Sequence, residues 1–466
     1  MATRIWTLIL TSVAFFMVNL DALVVVTALP AIHRDIGGSI GDLEWTMNAF
    51  TLTYAAGIIT AAGLGDRLGR RLVFVIGLAV FTVSSIACAV APNTALLITA
   101  RAVQGLGAAM VMPLSLTLLT AAFGAERRAS IVGLWGGIGG LAVAAGPLVG
   151  GAITQGVSWH WIFWVNVPIG IAAVLFSLLQ LRESKGPAIR LDPLAGALVG
   201  VGSALLVWGF IRAGDDGWTS PAAIGTLTAG ALLLAGFVLW ELRVDDPMLP
   251  MRFFLDRSFA AGSSTGFLMS ATIFSAAFLV AQFMQFGQGQ TPFETGLRVL
   301  PWTATPLLVA PAAGVIADRI GARPVLALGM LLQALGLYWF ASVATIGVDY
   351  IRLVPSLILA GIGISMALPI APTVVLSAVK PGEMGKASGV NSTMQRLGSA
   401  FGIALAAAVF ASNGHIGTPS SFAEGFRPAL LAVASLSLLG VFTALGLHGR
   451  SHATPQLQPS AEVEAA

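Results

Sequence analysis

The chain has 466 residues, of which 56% are hydrophobic and only 10% charged, and its mean hydropathy is +0.88. A soluble protein of this length would carry about 25% charged residues, so the composition excludes a water-soluble globular fold and points to an all-α polytopic membrane protein. The net charge of +3 sits in short loops between apolar runs, which argues against a nucleic-acid partner, and one cysteine, Cys88, is too few for a disulfide framework or a Cys/His metal cluster.

Each spanning helix needs roughly 20 mostly apolar residues. In chain order, spans are predicted near 5–29, 43–65, 72–91, 94–122, 129–154 and 162–181, then 192–212 and 222–241, then 259–286, 293–317, 322–343, 351–375, 387–412 and 427–447. The first begins at Ile5 after a lone Arg4 and has no small-residue cleavage site, so it reads as a retained helix and not a signal peptide. It carries Asp21, the only carboxylate expected deep inside a span. A charge at mid-bilayer costs at least about 2.5–3.5 kcal/mol on insertion scales, so Asp21 is a candidate for proton or cation handling. The alternative is a structural carboxylate locked to a partner.

A charged loop follows the second span. It reads AGLGDRLGRRLVF at 62–74 and returns as GVIADRIGARPVL at 314–326, with Asp66, Arg67, Gly69 and Arg71 recurring as Asp318, Arg319, Gly321 and Arg323 at one offset of 252 residues. A fixed offset marks a duplicated unit. Glycine permits a tight turn, and the aspartates can accept hydrogen bonds from helix-start N–H groups or arginines. A plain basic loop would explain the arginines, but not an aspartate and a glycine repeated in register.

In the fourth span Arg101 lies about two turns in, with Gln104 three residues on and on the same face. Arg101 is the natural partner for Asp21, and Gly105 and Gly107 admit a close helix neighbour. The fifth span carries Gly140, Gly146, Pro147, Gly150 and Gly151, small residues and a proline that allow close packing and a bend. Polar or aromatic residues in otherwise apolar spans are candidates for the substrate cavity: Asn48, Gln282, Gln285, Gln288, Trp302, and Asn391 with Gln395 four residues on. Phe267, Met269 and Met284 would add an adaptable apolar wall; packing or lipid contact is the alternative for each. The direction of Arg396 is left open.

Fourteen spans put both termini on one side. That side then holds seventeen of the basic residues and the other holds five, with Arg101 and Arg396 inside spans, so the termini are expected in the cytoplasm. The domain plan is a six-helix half at 1–190, two inserted helices and a linker at 191–245, a second six-helix half at 246–449 and a polar tail at 450–466. GSSTG at 262–266 fits a nucleophile-elbow pattern but lacks its strand-to-helix context, and no G-x-x-x-x-G-K-[ST] loop is present. An enzyme is not expected.

The doubled charged loop resembles motif A of the major facilitator superfamily. LITARAVQGLGAA at 97–109 resembles its motif B, and LAVAAGPLVGG at 141–151 its antiporter motif C. NLDALVVVTALPAI at 19–32 and SWHWIFWVNVPIG at 158–170 are similar to signatures of the fourteen-helix drug:proton antiporters. Departures are Ala62 for the first glycine of motif A, and Leu23 and Val26 where that family usually has Thr and Asn. The resemblance implies a major facilitator fold in the bacterial inner membrane that exports lipophilic, cationic drugs in exchange for protons, with no cofactor. It also implies that Asp21, Arg101 and Gln104 handle the proton, and that the charged loops latch the cytoplasmic side. A monomer is expected. Alternatives are a dedicated exporter of one antibiotic or metabolite, and a non-transporting receptor on the same scaffold.

Overall fold

Where no water is available to a backbone, an apolar run satisfies its N–H and C=O groups only as a helix or a closed barrel. In a computed structural model of the chain, which describes residues 2–447 apart from 39, 124, 186–191, 246, 248, 381–382 and 416–417, every regular element among the described residues is helical. The first seven helices are α1 (Ala2–Ile36), α2 (Ile40–Leu68), α3 (Arg70–Ala89), α4 (Thr94–Ala122), α5 (Ala125–Gly156), α6 (Trp161–Trp164) and α7 (Asn166–Gln180). Then come α8 (Pro193–Asp216), α9 (Pro221–Glu241), α10 (Arg257–Gln282), α11 (Pro292–Arg298), α12 (Leu300–Thr303) and α13 (Thr305–Ile320). The last four are α14 (Ala322–Val343), α15 (Tyr350–Ser377), α16 (Met384–Asn413) and α17 (Pro419–Leu445). Among the described residues, twelve helices are long and apolar enough to cross a membrane, or thirteen if the bent α2 counts as one span.

The starts are written in the sequence. Asn93, Asp192, Ser220 and Asp256 each accept a backbone N–H three residues on, at the starts of α4, α8, α9 and α10. Thr291 and Glu294 form a reciprocal capping box at α11. The Thr291 backbone N–H, and then its hydroxyl, hold the Glu294 carboxyl below the usual carboxylate range.

Helices α1 to α7 pack mainly on one another, and so do α10 to α17; the α8–α9 hairpin lies against α2 and α16. Glycines set the closest crossings. A Cβ on Gly107 of α4 would lie 2.6 Å from the Phe81 backbone nitrogen of α3, and one on Gly363 of α15 would lie 2.2 Å from that of Gln333 of α14. The glycine-rich segment of α5 works in the same way. Gly146 and Gly150 face Leu23 and Val24 of α1, and Gly151 faces the Pro292 carbonyl at the start of α11. Gly140 lies within α5.

Calling the end of the bundle that holds Ala2 and the 66–71 turn the terminal face, the hydrogen bonds joining the two groups sit away from it. Gln285 donates to the Thr27 carbonyl at 2.9 Å, the Phe293 N–H donates to Gln155 at 3.1 Å, and the Thr393 hydroxyl donates to the Ala55 carbonyl at 3.4 Å. Toward the terminal face α13 is largely uncovered, with Val315 53% and Ile320 52% exposed.

Filling the α3–α4 crossing should cost stability. Gly107→Val should lower the thermal unfolding temperature in detergent by an amount corresponding to about 1–3 kcal/mol of overpacking. Gly225→Ala, on a helix face with open space, should hold or raise it; equal loss in both would contradict the crossing.

Candidate functional site

The only ion pair among the described residues with both partners fully buried lies at mid-length of α1. Arg101 Nη1 donates to Asp21 Oδ2 at 2.5 Å, and each side chain is at most 1% exposed. The other carboxylate oxygen accepts from Gln104 Nε2 at 3.0 Å and from Asn166 Nδ2 at 2.8 Å. Asp21 is thus held by α4 and α7 together, with no free acceptor edge turned to solvent.

The surroundings follow from the sequence of α4. Asn93 fixes where the helix starts, and Arg101 and Gln104, three residues apart, reach the same neighbour. Gly105 lets α2 approach so closely that a Cβ there would lie 2.3 Å from the Phe50 carbonyl. That approach brings the Thr46 carbonyl to 3.1 Å from Arg101 Nε and the Phe50 ring to 4.3 Å beneath the guanidinium. Arg101 also donates to Gln104 Oε1 at 2.6 Å, and Gln104 Nε2 donates to Ser85 Oγ at 2.9 Å. Cys88 Sγ stands 3.7 Å from Gln104 Oε1. The cage balances one negative charge against one positive charge with every strong donor directed inward. A proton placed on Asp21 would remove the charge that holds Arg101.

Asn166, Ser85 and Phe50 were not singled out from sequence. Asn166 had a signal, an amide at the head of an apolar run, whereas Ser85 and Phe50 have none. Asp21 is also not the only buried carboxylate: Glu44, one turn into α2, is 2% exposed, because α2 is packed from its first turns onward.

The cavity candidates are scattered. Asn48 is fully buried with neither amide atom bonded, and Gln282, 3% exposed, is the same. Gln285 uses its amide nitrogen on Thr27 and leaves its oxygen unbonded; Trp302 Nε1 and Asn391 Oδ1 are also buried without a hydrogen-bond partner. Asn391 and Gln395 share the face opposite Gly266 of α10, where a Cβ would lie 3.5 Å from Asn391 Oδ1. Gln282 and Gln285 flank or belong to a π-helical turn at Phe283–Gly287, a local irregularity frequent at functional sites. Gln288 instead donates to the Thr345 carbonyl at 2.6 Å in an exposed position. Met269 and Met284 belong to the packed core, and Phe267 packs on Phe401. Arg396 lies 4.4 Å over the Tyr54 ring of α2, so it points across to the first group of helices.

The two charged loops differ. Gly69 and Gly321 have φ of +131° and +95°, the turn that glycine was expected to permit. Asp66 pairs with Arg70 at 2.8 Å within the loop and does not cap α3. That cap comes from Glu183, beyond α7, whose carboxylate accepts the Arg71 and Leu72 N–H groups at 2.9 and 3.1 Å. Arg71 Nη1 donates to the Leu181 carbonyl at 3.2 Å. Arg67 is exposed, as are Asp318, Arg319 and Arg323. No group of three or more His, Cys, Asp or Glu side chains able to hold a metal occurs among the described residues.

A family model described as Major Facilitator Superfamily matches residues 11–291 and 262–465. The tetracenomycin C resistance and export protein of Streptomyces glaucescens is 33% identical over 91% of this chain and 79% of its own length. The multidrug resistance protein Stp of Mycobacterium tuberculosis is 37% identical over 88% and 76%. In fold, the crystal structure of a peptide transporter POT superposes with a TM-score of 0.69 over 94% of each chain at 15% identity.

Removing one member of the buried pair should be far worse than removing the charge from both. Arg101→Ala should destabilise by about 3–5 kcal/mol, the usual result of stranding a buried charge, and adding Asp21→Asn should recover most of it. Thermal unfolding in detergent reads both; no recovery in the double variant would contradict the pairing.

Proposed function

The chain belongs to the major facilitator superfamily and is a transporter, and we propose that it is a proton-coupled exporter of lipophilic drugs. The observation that carries this reading is the buried Asp21–Arg101–Gln104–Asn166 cage, a protonatable carboxylate at mid-span whose protonation alters the partner of a buried cation. Names such as tetracenomycin C resistance and export protein and multidrug resistance protein support drugs as the cargo.

In this reading the chain is a fourteen-helix antiporter, with α2 and α5 added to the twelve apolar spans. The halves 1–190 and 246–449 rock about a midplane site, with the 191–245 hairpin inserted between them and 450–466 as a cytoplasmic tail. It acts as a monomer in the bacterial inner membrane, with both termini cytoplasmic. The hydrogen bonds between the halves lie away from the terminal face, which fits a conformation open to the cytoplasm. Drug enters there and meets Asn48, Gln282, Gln285, Trp302 and Asn391, whose unbonded buried atoms offer donors and acceptors, with Gln395 beside Asn391. A proton then reaches Asp21 from outside, frees Arg101 from its anion, and is passed inward when the cavity again faces the cytoplasm. Gln104 and Asn166 keep the carboxylate aligned through both states.

A cationic cargo would have to compete with Arg101 for the ionised Asp21, because the proton that frees Arg101 also removes the charge; in the caged state both carboxylate oxygens are taken. A dedicated exporter of one antibiotic is the second reading, favoured by the single-drug name of one relative. A panel of lipophilic cations, neutral drugs and anions separates the two.

Asp21→Asn should abolish uphill efflux of a cationic dye from proteoliposomes under a proton gradient while leaving downhill exchange measurable. Unchanged uphill export would sink the proton assignment. For the loops, Asp66→Asn should slow turnover with little change in drug affinity, read by transport rate against equilibrium binding; a pure loss of affinity would contradict a latch.

A further inference from the structure

At the terminal face, the ends of α1 and α4 and the segment after α7 enclose a cavity of about 440 Å³ that lies apart from the buried cage. Its lining includes Arg4, Thr7, Leu118, Leu181, Arg182 and Ser184. We infer that this cavity receives the phosphate headgroup of an anionic phospholipid.

Three observations converge on that chemistry. Arg4 and Arg182 are exposed, and neither is in an ion pair among the described residues. Two guanidinium forks beside one cavity suit a phosphate, which accepts hydrogen bonds from planar donors in pairs. Ser184 Oγ is buried without a hydrogen-bond partner, so a donor stands ready beside the arginines. The Glu183 carboxylate is already committed to the N-terminus of α3 and to Arg71, 3.8 Å away.

The remaining wall favours a lipid over a free phosphate. Leu118 and Leu181 are buried there, and α1 and α7 carry exposed apolar rows nearby, with Ile5 54%, Ile9 44%, Leu175 56% and Leu179 74% exposed. Acyl chains can lie along those rows. A soluble phosphate would use the arginines and leave the apolar surface without a counterpart. Basic pockets between helix ends are a recurrent seat for anionic headgroups.

The site also reaches the first charged loop. Ser184 accepts the Arg70 N–H at 2.9 Å through its carbonyl, and Leu181 accepts Arg71 through its own. A headgroup gripped by Arg182 and Ser184 therefore steadies the segment on which the 66–71 turn hangs, so bound lipid should protect the backbone amides of residues 70–72.

The test uses the full-length protein and phosphatidylglycerol, with phosphatidylcholine as the uncharged comparison. Retained lipid is read by native mass spectrometry, which does not depend on transport, so its outcome is separate from that of the export reading. Arg4→Ala with Arg182→Ala should weaken phosphatidylglycerol binding roughly thirtyfold, from about fivefold per basic residue at a charged surface. Phosphatidylcholine binding should not change, and Arg257→Ala, a basic residue on the same face outside the cavity, should bind as wild type. Arg4→Gln with Arg182→Gln gives the same comparison if the alanine pair does not fold. Hydrogen exchange at 70–72 should slow with phosphatidylglycerol in the wild type and not in the double variant. Equal phosphatidylglycerol binding by the wild type and the double variant would overturn the site. Displacement of the lipid by glycerol 3-phosphate at matched concentration would overturn the lipid assignment in favour of a soluble anion.

Discussion

Everything in the first group of helices is arranged around the cost of keeping Asp21 and Arg101 out of water. Each ion loses several kcal/mol of hydration, and their mutual attraction repays this only when geometry is good and the remaining donors and acceptors are filled. Here they are filled. Both oxygens of Asp21 are occupied, and Arg101 divides its donors among a carboxylate, an amide oxygen and a backbone carbonyl over an aromatic face. Such a pair adds little net stability compared with an apolar substitute, but breaking it is expensive. In the export reading proposed above, protonation of Asp21 would break it, removing one charge without moving an atom of the backbone.

The glycines make that cage possible. Arg101 reaches the Thr46 carbonyl only because α2 and α4 touch at Gly105, and α1 is held close to α5 by Gly146 and Gly150. Interhelical distance here is set by missing side chains, as is usual where lipid supplies no hydrophobic drive between helices. The same α5 segment meets α11 at Gly151, so one stretch of small residues both positions the helix that bears Asp21 and closes the two groups against each other at the distal end. The α5 segment therefore touches both the helix that bears Asp21 and the contact between the two groups.

Much of this was legible in the sequence. The helical class, the partnership of Arg101 with Asp21, the positive-φ glycines and the close packing at Gly146 and Gly150 each have a local signal: a rare charge, a spacing of three, a residue without a Cβ. The parts that were not legible depend on what folds against what. Asn166 is one amide at the end of a run whose neighbour is far away in sequence, and Glu183 looks like an ordinary loop acid until it is seen capping α3. Met269 and Met284 had the composition of an adaptable wall but lie in the packed core, because side-chain type does not say which face of a helix meets a cavity. Among the amides, spacing placed Asn391 and Gln395 together correctly and had no means of placing Asn48 or Gln282.

The duplicated loop looks symmetric on paper and is not symmetric in structure. The first copy is anchored inside its own group by a carboxylate that follows α7. The described residues after α17, Gly446 and Leu447, offer no acid at the corresponding place in the second group. The charges of the second copy, Asp318, Arg319 and Arg323, are exposed. Among the described residues the 66–71 turn is thus held by the 181–184 segment beside the arginine-lined cavity.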